Sequence, residues 1–227
     1  MSNDHKKPRI EMSKPLPHYS GIPTQFLLQM GKYDIKVDGV KTIVHVIDCA
    51  AAVDKYIAEM HSCLECGPRV VGIDHKKLNP SESGYSSYNI LVLYALGRCL
   101  IIHLYSVGIQ GQAPESLDNF LSDSSICFVG TQLPGDSIYC CKFRHHNRAV
   151  KVGDLAARVL KKPEVTALTL AEVAREVGVS YKGPDSATAK IEVDSVSTVV
   201  LTEEQVLAAL SDAFTYYQIG FKLLTSL

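Results

Sequence analysis

The sequence predicts an α/β fold with a mixed central sheet of five to six strands flanked by helices. Two observations predict it. Segments of alternating or continuous apolar residues, typical of strands, recur from residue 33 to residue 130. From Pro114 onward, such segments are interleaved with segments of helical spacing. With 227 residues, 46% of them hydrophobic, the chain can form one globular domain with a buried core.

Turn signals separate the strands of the first half. Asp38-Gly39 and Gly97-Arg98 lie between apolar segments and predict two hairpins. Residues 49–63 have helical spacing, and residues 79–87 form a polar loop rich in Ser and Gly. The strands predicted here span residues 33–37, 41–48, 70–74, 90–96 and 99–105.

Capping signals mark the helices of the second half. Pro114 followed by Glu115 predicts a helix start, since proline suits the first turn and the helix dipole favours an acidic neighbour. A short apolar strand follows at residues 126–130. The capping boxes Thr169-Leu-Ala-Glu and Thr202-Glu-Glu-Gln begin two further helices. The apolar stripe predicted for the last helix consists of Leu207, Leu210, Phe214, Tyr217, Phe221 and Leu224.

Composition divides the chain into two parts. Residues 1–27 are polar and contain four prolines, which predicts a flexible N-terminal arm, and residues 28–227 form the domain. No window approaches the run of about 18 apolar residues that spans a bilayer, and no signal-peptide apolar region is present. We therefore expect an intracellular protein without a membrane partner, located in the nucleus or the cytoplasm.

Charge and cysteine usage exclude some classes of function. Seven cysteines and a single CxxC at Cys63 and Cys66 predict reduced thiols rather than a disulfide framework or a zinc module. A net charge of −1 argues against a strongly electrostatic nucleic-acid binder. A local basic stretch can still follow a phosphate backbone or form a solvated face. It consists of Lys142, Arg144, His145, His146, Arg148 and Lys151.

Three aspartates stand in apolar surroundings. Asp74 ends a core strand, Asp136 follows the apolar strand ICFVG, and Asp212 lies on a mostly apolar face of the last helix. An isolated buried carboxylate costs several kcal/mol, so each needs a partner. An arginine, backbone amides or a metal ion would serve at Asp212.

The order of these segments resembles the Werner-type branch of the DEDD 3′-5′ exonucleases, whose fold is ribonuclease H-like. The resemblance covers roughly residues 33–224 and identifies the chain as a divergent member with degenerate motifs. It rests on VVGIDHKK, LVLYALGRCLIIHL, SLDNFLSDSSICFVGTQLPGD, VGDLAARVL and LTEEQVLAALSDAFTYYQIGFKLL.

In that family, four carboxylates hold two divalent metal ions, Mg²⁺ or Mn²⁺, about 4 Å apart, and a tyrosine orients the attacking water. The resemblance implies that Asp74, Asp136 and Asp212 are retained as catalytic metal ligands. Two positions differ, because Lys76 stands where the family has Glu and Ala208 stands where it has Tyr.

The reversed charge at Lys76 leaves two interpretations open. Its ammonium points inward and pairs with Asp74, Asp136 or Asp212 in place of a metal ion, or it turns to solvent. Tyr216, one turn after Asp212, is either a packing residue or a displaced phenol that substitutes for the missing tyrosine.

The function expected from these residues is that of a 3′-5′ exonuclease-like protein that binds DNA or RNA and whose catalysis is weak or lost. Two alternatives remain. The chain is an active metal-dependent exonuclease with an altered site, or a pseudonuclease that acts as a protein-interaction module.

Overall fold

The computed structural model describes residues 24–65, 67–80, 88–108, 112–131, 149–183, 192–193 and 201–227. Asp136, Cys66 and the basic stretch from Lys142 to Arg148 lie outside the described residues.

Seven strands and seven α-helices lie in the described part of the chain. The strands are β1 Lys32–Val37, β2 Val40–Ile47, β3 Val70–Pro80, β4 Tyr88–Ala95, β5 Arg98–His103, β6 Cys127–Gly130 and β7 Glu192–Val193. The α-helices are α1 Thr24–Met30, α2 Ala50–Glu65, α3 Leu104–Val107, α4 Glu115–Ser122, α5 Val152–Leu160, α6 Leu170–Val177 and α7 Glu203–Thr225, and a 3₁₀ helix spans Pro163–Ala167.

The strands form one mixed sheet in the order β1-β2-β5-β4-β3-β6. Neighbours pair antiparallel except β2 with β5 and β3 with β6, which are parallel. The two-residue strand β7 pairs with β3 beyond this six-stranded path. The predicted α/β fold, with a mixed sheet flanked by helices, is confirmed, and β7 is an additional short strand.

Helices α2 and α7 cover opposite faces of the sheet. The ring of His45 stacks on Tyr56 of α2, and the strand register places His45, Leu100 and Leu93 side by side on that face. Successive strand residues point to opposite faces, so Tyr94 points the other way, where its ring packs on the aromatic side chains of α7. The buried core therefore consists of two layers, one on each side of the sheet.

Local signals in the sequence are confirmed where they depend on neighbouring residues. The first hairpin turn has positive φ at both central residues, 47° at Asp38 and 82° at Gly39. The second turn lies at Leu96-Gly97, one residue before the predicted Gly97-Arg98, because Arg98 is already the first residue of β5. Thr169 and Thr202 both form complete capping boxes, in which side chain and backbone exchange hydrogen bonds.

Other expectations are wrong or need correction. Strand β3 does not end at Asp74 but continues to Pro80, because its pairing with β4 continues through Leu78. Residues 104–107 form α3 rather than the end of a strand. Leu207, predicted on the apolar stripe of the last helix, is 38% exposed.

The boundary of the N-terminal arm stays a prediction. Helix α1 begins at Thr24, inside the range 1–27 assigned to the arm, and residues 1–23 lie outside the described residues. Within the described residues, no helix combines the length and the apolar character needed to cross a membrane.

Candidate functional site

A glycine on β3 brings helix α7 against the sheet. A Cβ atom at Gly72 would lie 1.9 Å from the carbonyl oxygen of Ala213, so only glycine permits this approach of the two backbones. Asp74 and Lys76 follow Gly72 at intervals of two and therefore share its face of the strand. Asp212, the neighbour of Ala213 on α7, is thereby placed next to both.

Lys76 connects the two aspartates. Its Nζ atom donates a hydrogen bond to Asp212 Oδ2 at 2.7 Å and lies 3.1 Å from Asp74 Oδ2. The side chains of Lys76, Asp212 and Asp74 are 21%, 20% and 8% exposed. Of the two orientations left open for Lys76, the structure has the inward one.

Two hydroxyl groups complete the cluster. Thr131, directly after β6, donates to Asp74 Oδ1 at 2.8 Å. The Tyr181 hydroxyl donates to Asp212 Oδ1 at 2.9 Å. The sequence assigned no role to either residue: Thr131 lies within the quoted segment SLDNFLSDSSICFVGTQLPGD without a function of its own, and Tyr181 lies in none of the quoted segments. We refer to Asp74, Lys76, Thr131, Tyr181 and Asp212 as the Asp–Lys cluster.

The charges of the Asp–Lys cluster favour a protonated lysine. Burial by itself lowers the pKa of Lys76, but attraction to Asp74 and Asp212 and the hydrogen bonds to them outweigh it, and the pKa is raised. Burial, followed by the negative charge of Asp212, raises the pKa of Tyr181. At neutral pH, Lys76 is therefore an ammonium and Tyr181 a neutral hydrogen-bond donor.

The two positions on α7 that concern the missing tyrosine lie one turn on either side of Asp212. Ala208 is buried and carries no hydroxyl group. Tyr216 packs against the core next to Gly130, and burial raises its pKa. Tyr216 thus has the contacts of a packing residue.

The described residues do not fit a divalent metal ion as they stand. Three of the four carboxylate oxygens of Asp74 and Asp212 accept hydrogen bonds from Thr131, Lys76 and Tyr181. The fourth, Asp74 Oδ2, is buried in ionic contact with Lys76. Within the described residues, no group of three or more His, Cys, Asp or Glu side chains is placed to hold a metal ion. A cation could enter between the aspartates only if the ammonium moved out.

No protein-family model and no curated protein matches the chain. Several solved structures are similar to it. The EXD2 exonuclease domain is 22% identical, covers 80% of this chain and 89% of its own, and has a TM-score of 0.40. Crystal structures of the same domain soaked in Mn, and soaked in Mg and GMP, are similar to the same degree, with 22% identity and TM-scores of 0.40.

Two further solved structures are similar over much of the chain. Brucella melitensis NrnC is 16% identical over 69% of this chain and 72% of its own, with a TM-score of 0.43. The EXO domain of Aedes aegypti Nibbler is 12% identical over 86% of this chain and 92% of its own, with a TM-score of 0.49. Identities and TM-scores this low do not indicate a shared chemistry.

Proposed function

We propose that this chain is a 3′-5′ exonuclease-like protein that binds nucleic acid and whose catalysis is weak or lost. The observation that carries the proposal is the position of the Lys76 ammonium, 2.7 Å from Asp212 and 3.1 Å from Asp74. It lies between the two carboxylates that the resemblance assigns to metal binding.

Lys76 opposes a metal ion in two ways: it removes the negative charge of a glutamate, and it adds a positive charge. The local charge therefore changes by two units. At a distance of about 4 Å and an effective dielectric of about 20, two unit charges interact with an energy on the order of 4 kcal/mol. Even after screening, repulsion by Lys76 weakens the binding of a dication between Asp74 and Asp212 severely.

Ala208 removes a second part of the catalytic site that the resemblance implies, the residue that orients the attacking water. The resemblance assigns to that position a tyrosine that orients the attacking water, and the methyl group of alanine cannot donate a hydrogen bond. In the described part of the chain, Tyr181 brings a phenol to the cluster, but its hydroxyl already donates to Asp212. The phenol is therefore engaged in holding the carboxylate.

Nucleic acid is the partner that the resemblance implies, in the nucleus or the cytoplasm. Because the net charge of the chain is −1, binding has to come from local groups of Lys and Arg, and the affinity should fall steeply with added salt. Such binding does not require a metal ion.

The proposal is tested by incubating the chain with end-labelled single-stranded DNA, single-stranded RNA and recessed duplexes, in Mg²⁺ or Mn²⁺. We expect complexes in a gel-shift assay without shortening of the labelled strand. Shortening from the 3′ end that disappears in an Asp74→Ala variant would establish an active exonuclease instead. Shortening that persists in that variant would come from a contaminant.

A separate experiment tests whether Lys76 and Ala208 account for the loss of catalysis. The double variant Lys76→Glu with Ala208→Tyr should shorten the labelled strand in Mn²⁺. Its matched control is Lys76→Gln with Ala208→Phe, which removes the ammonium and fills the space without supplying a carboxylate or a hydroxyl. A double variant as inactive as this control would show that these two residues do not account for the loss.

A further inference from the structure

A cavity of about 400 Å³ lies at the β1 edge of the sheet. Ile43 and His45 of β2 line it together with residues of α1, α2 and β5. His45 faces α2, whereas Asp74 and Lys76 face α7. The cavity therefore lies on the other face of the sheet from the Asp–Lys cluster and has no part in the proposed function. We call it the β1-edge cavity.

Three cations from three different elements line the β1-edge cavity. Lys32 comes from β1, Arg98 from the start of β5, and Lys55 from α2. The register places Lys32 beside His45 and Arg98 beside Ile43, on either side of β2. The convergence is a product of the fold, because these residues are far apart in the sequence.

One carboxylate among the lining residues offsets part of this charge. Glu59 lies 3.3 Å from Arg98 Nη1 and 4.0 Å from Lys55 Nζ, so two cations share it. Lys32 pairs at 3.2 Å with Asp34, which does not line the cavity. The lining residues themselves carry three positive charges and one negative charge, an excess of two.

His45 gives a second, independent indication of a ligand. Its side chain is only 7% exposed, and its Nδ1 atom has no hydrogen-bond partner among the described residues. A buried polar nitrogen without a partner costs free energy that a ligand can recover. Burial, and then the charges of Lys32, Arg98 and Lys55, lower the pKa of His45 to about 4. The imidazole is therefore neutral at pH 7 and lies in a positive potential.

We propose that the β1-edge cavity binds the dianion of a phosphate monoester. The lining carries an excess of positive charge even though Asp34 pairs with Lys32, and such a lining suits a group that is close to a dianion at neutral pH. Arg98 offers a planar fork of donors and Lys55 a point charge, the combination that proteins use for phosphate. Gln25 and Gln29 of α1 add neutral amide donors at the rim. The volume lies within the range of small-molecule sites, about 300 to 1,000 Å³.

Isothermal titration calorimetry of the full chain at low ionic strength tests the proposal. The probes are inorganic phosphate and adenosine 5′-monophosphate, with adenosine as the uncharged control. We expect saturable binding of both phosphates and none of adenosine. Tighter binding of the nucleotide than of phosphate would assign the ester to the site, and equal binding would assign the phosphate group alone. No binding of either phosphate overturns the proposal.

Variants that change the charge of the cavity lining in opposite directions distinguish phosphate binding in the cavity from a general attraction to the protein surface. Arg98→Gln and Lys55→Gln should each weaken phosphate binding roughly tenfold, since each removes a charged hydrogen-bond donor. Glu59→Gln should strengthen it severalfold, because it removes the competing carboxylate and frees both cations. The matched control is Lys41→Gln, an exposed lysine on β2 outside the cavity.

Two results of the variants would overturn the proposal. One is a loss of affinity in Lys41→Gln equal to that in Arg98→Gln. The other is a Glu59→Gln variant that binds phosphate no better than the unaltered chain. Loss of folding cannot imitate the expected pattern, because an unfolded variant would not gain affinity.

Discussion

Replacing Lys76 by methionine removes the ammonium of the Asp–Lys cluster while nearly preserving the length of the side chain. Asp74 and Asp212 then lose the cation that they share at 3.1 and 2.7 Å. Thr131 and Tyr181 still donate hydrogen bonds, but neither carries a charge. Two nearby carboxylates, one of them 8% exposed, are left without a counter-charge.

The expected cost follows from the burial of the three groups. Removing one partner of a buried ion pair costs about 3 to 5 kcal/mol, whereas exposed pairs contribute about 0 to 1 kcal/mol. About a fifth of the side-chain surface of Lys76 and of Asp212 is exposed, while that of Asp74 is nearly covered. We therefore expect Lys76→Met to lower the free energy of unfolding by about 3 kcal/mol.

Urea unfolding at pH 7 measures this difference. Lys41→Met is the matched control, since Lys41 is an exposed strand lysine, and its change should stay below about 0.5 kcal/mol. In an Asp212→Asn background, the cost of Lys76→Met should fall by at least about 1 kcal/mol, because the two residues are coupled. A cost of Lys76→Met no larger than that of the control, or additive effects of the two substitutions, would contradict a stabilising pairing of Lys76 with the aspartates.

Three further predictions concern the same region of the fold. Tyr181→Phe should lower the free energy of unfolding by about 1.5 kcal/mol, because it removes a hydrogen bond to the charged Asp212. Urea unfolding measures this change, and an unchanged unfolding midpoint would contradict the contact with Asp212. Gly72→Ala should lower the free energy of unfolding by at least about 3 kcal/mol or prevent folding, because its methyl group would overlap a carbonyl oxygen of α7. The control is Gly67→Ala, whose methyl group would meet only a side-chain carbon at 3.8 Å. This control should fold normally as judged by circular dichroism. Folding raises the pKa of Lys76 above its ordinary value of 10.5. The stability difference between the unaltered chain and Lys76→Met should therefore be constant from neutral pH to about pH 10.5 and shrink as the pH rises toward the folded-state pKa of Lys76. Urea unfolding across this range measures the difference, and a difference that grows in alkali would reverse the assigned sign.

The sequence predicts local structure well where a few neighbouring residues determine it. The Asp38-Gly39 turn and the capping boxes at Thr169 and Thr202 depend on contacts within four residues, and all three are present. The length of β3 could not be read in this way. The sequence predicts a strand end at Asp74 and a polar loop from residue 79, but pairing with β4 extends the strand to Pro80. Strand pairing is a long-range contact, and the alternation of one segment does not report it.

The candidate site could be predicted only in part, and the prediction came from the family resemblance and not from local sequence patterns. No local pattern places Asp74 beside Asp212, which is 138 positions later; the resemblance implied it, and the close approach at Gly72 is its physical basis. The inward orientation of Lys76 could be predicted as one of two alternatives, since the sequence contains the charges but not their distances. Tyr181 had no signal, because it belongs to no motif and reaches Asp212 only through the tertiary fold.

The charge balance of the cluster changes what its aspartates indicate about function. The ammonium at position 76 is largely covered, with 21% of the side chain exposed, and it requires negative partners because an unpaired lysine in such a place is destabilising. Asp74 and Asp212 supply them at 3.1 and 2.7 Å whether or not a metal ion ever binds. Their presence is therefore explained by the stability of the fold and is no evidence of catalysis. Asp74→Asn and Asp212→Asn should each destabilise the chain in metal-free buffer with EDTA, as urea unfolding would measure. A chain whose aspartates served only as metal ligands would instead become more stable when either carboxylate is neutralised, because carboxylates without a bound cation repel each other.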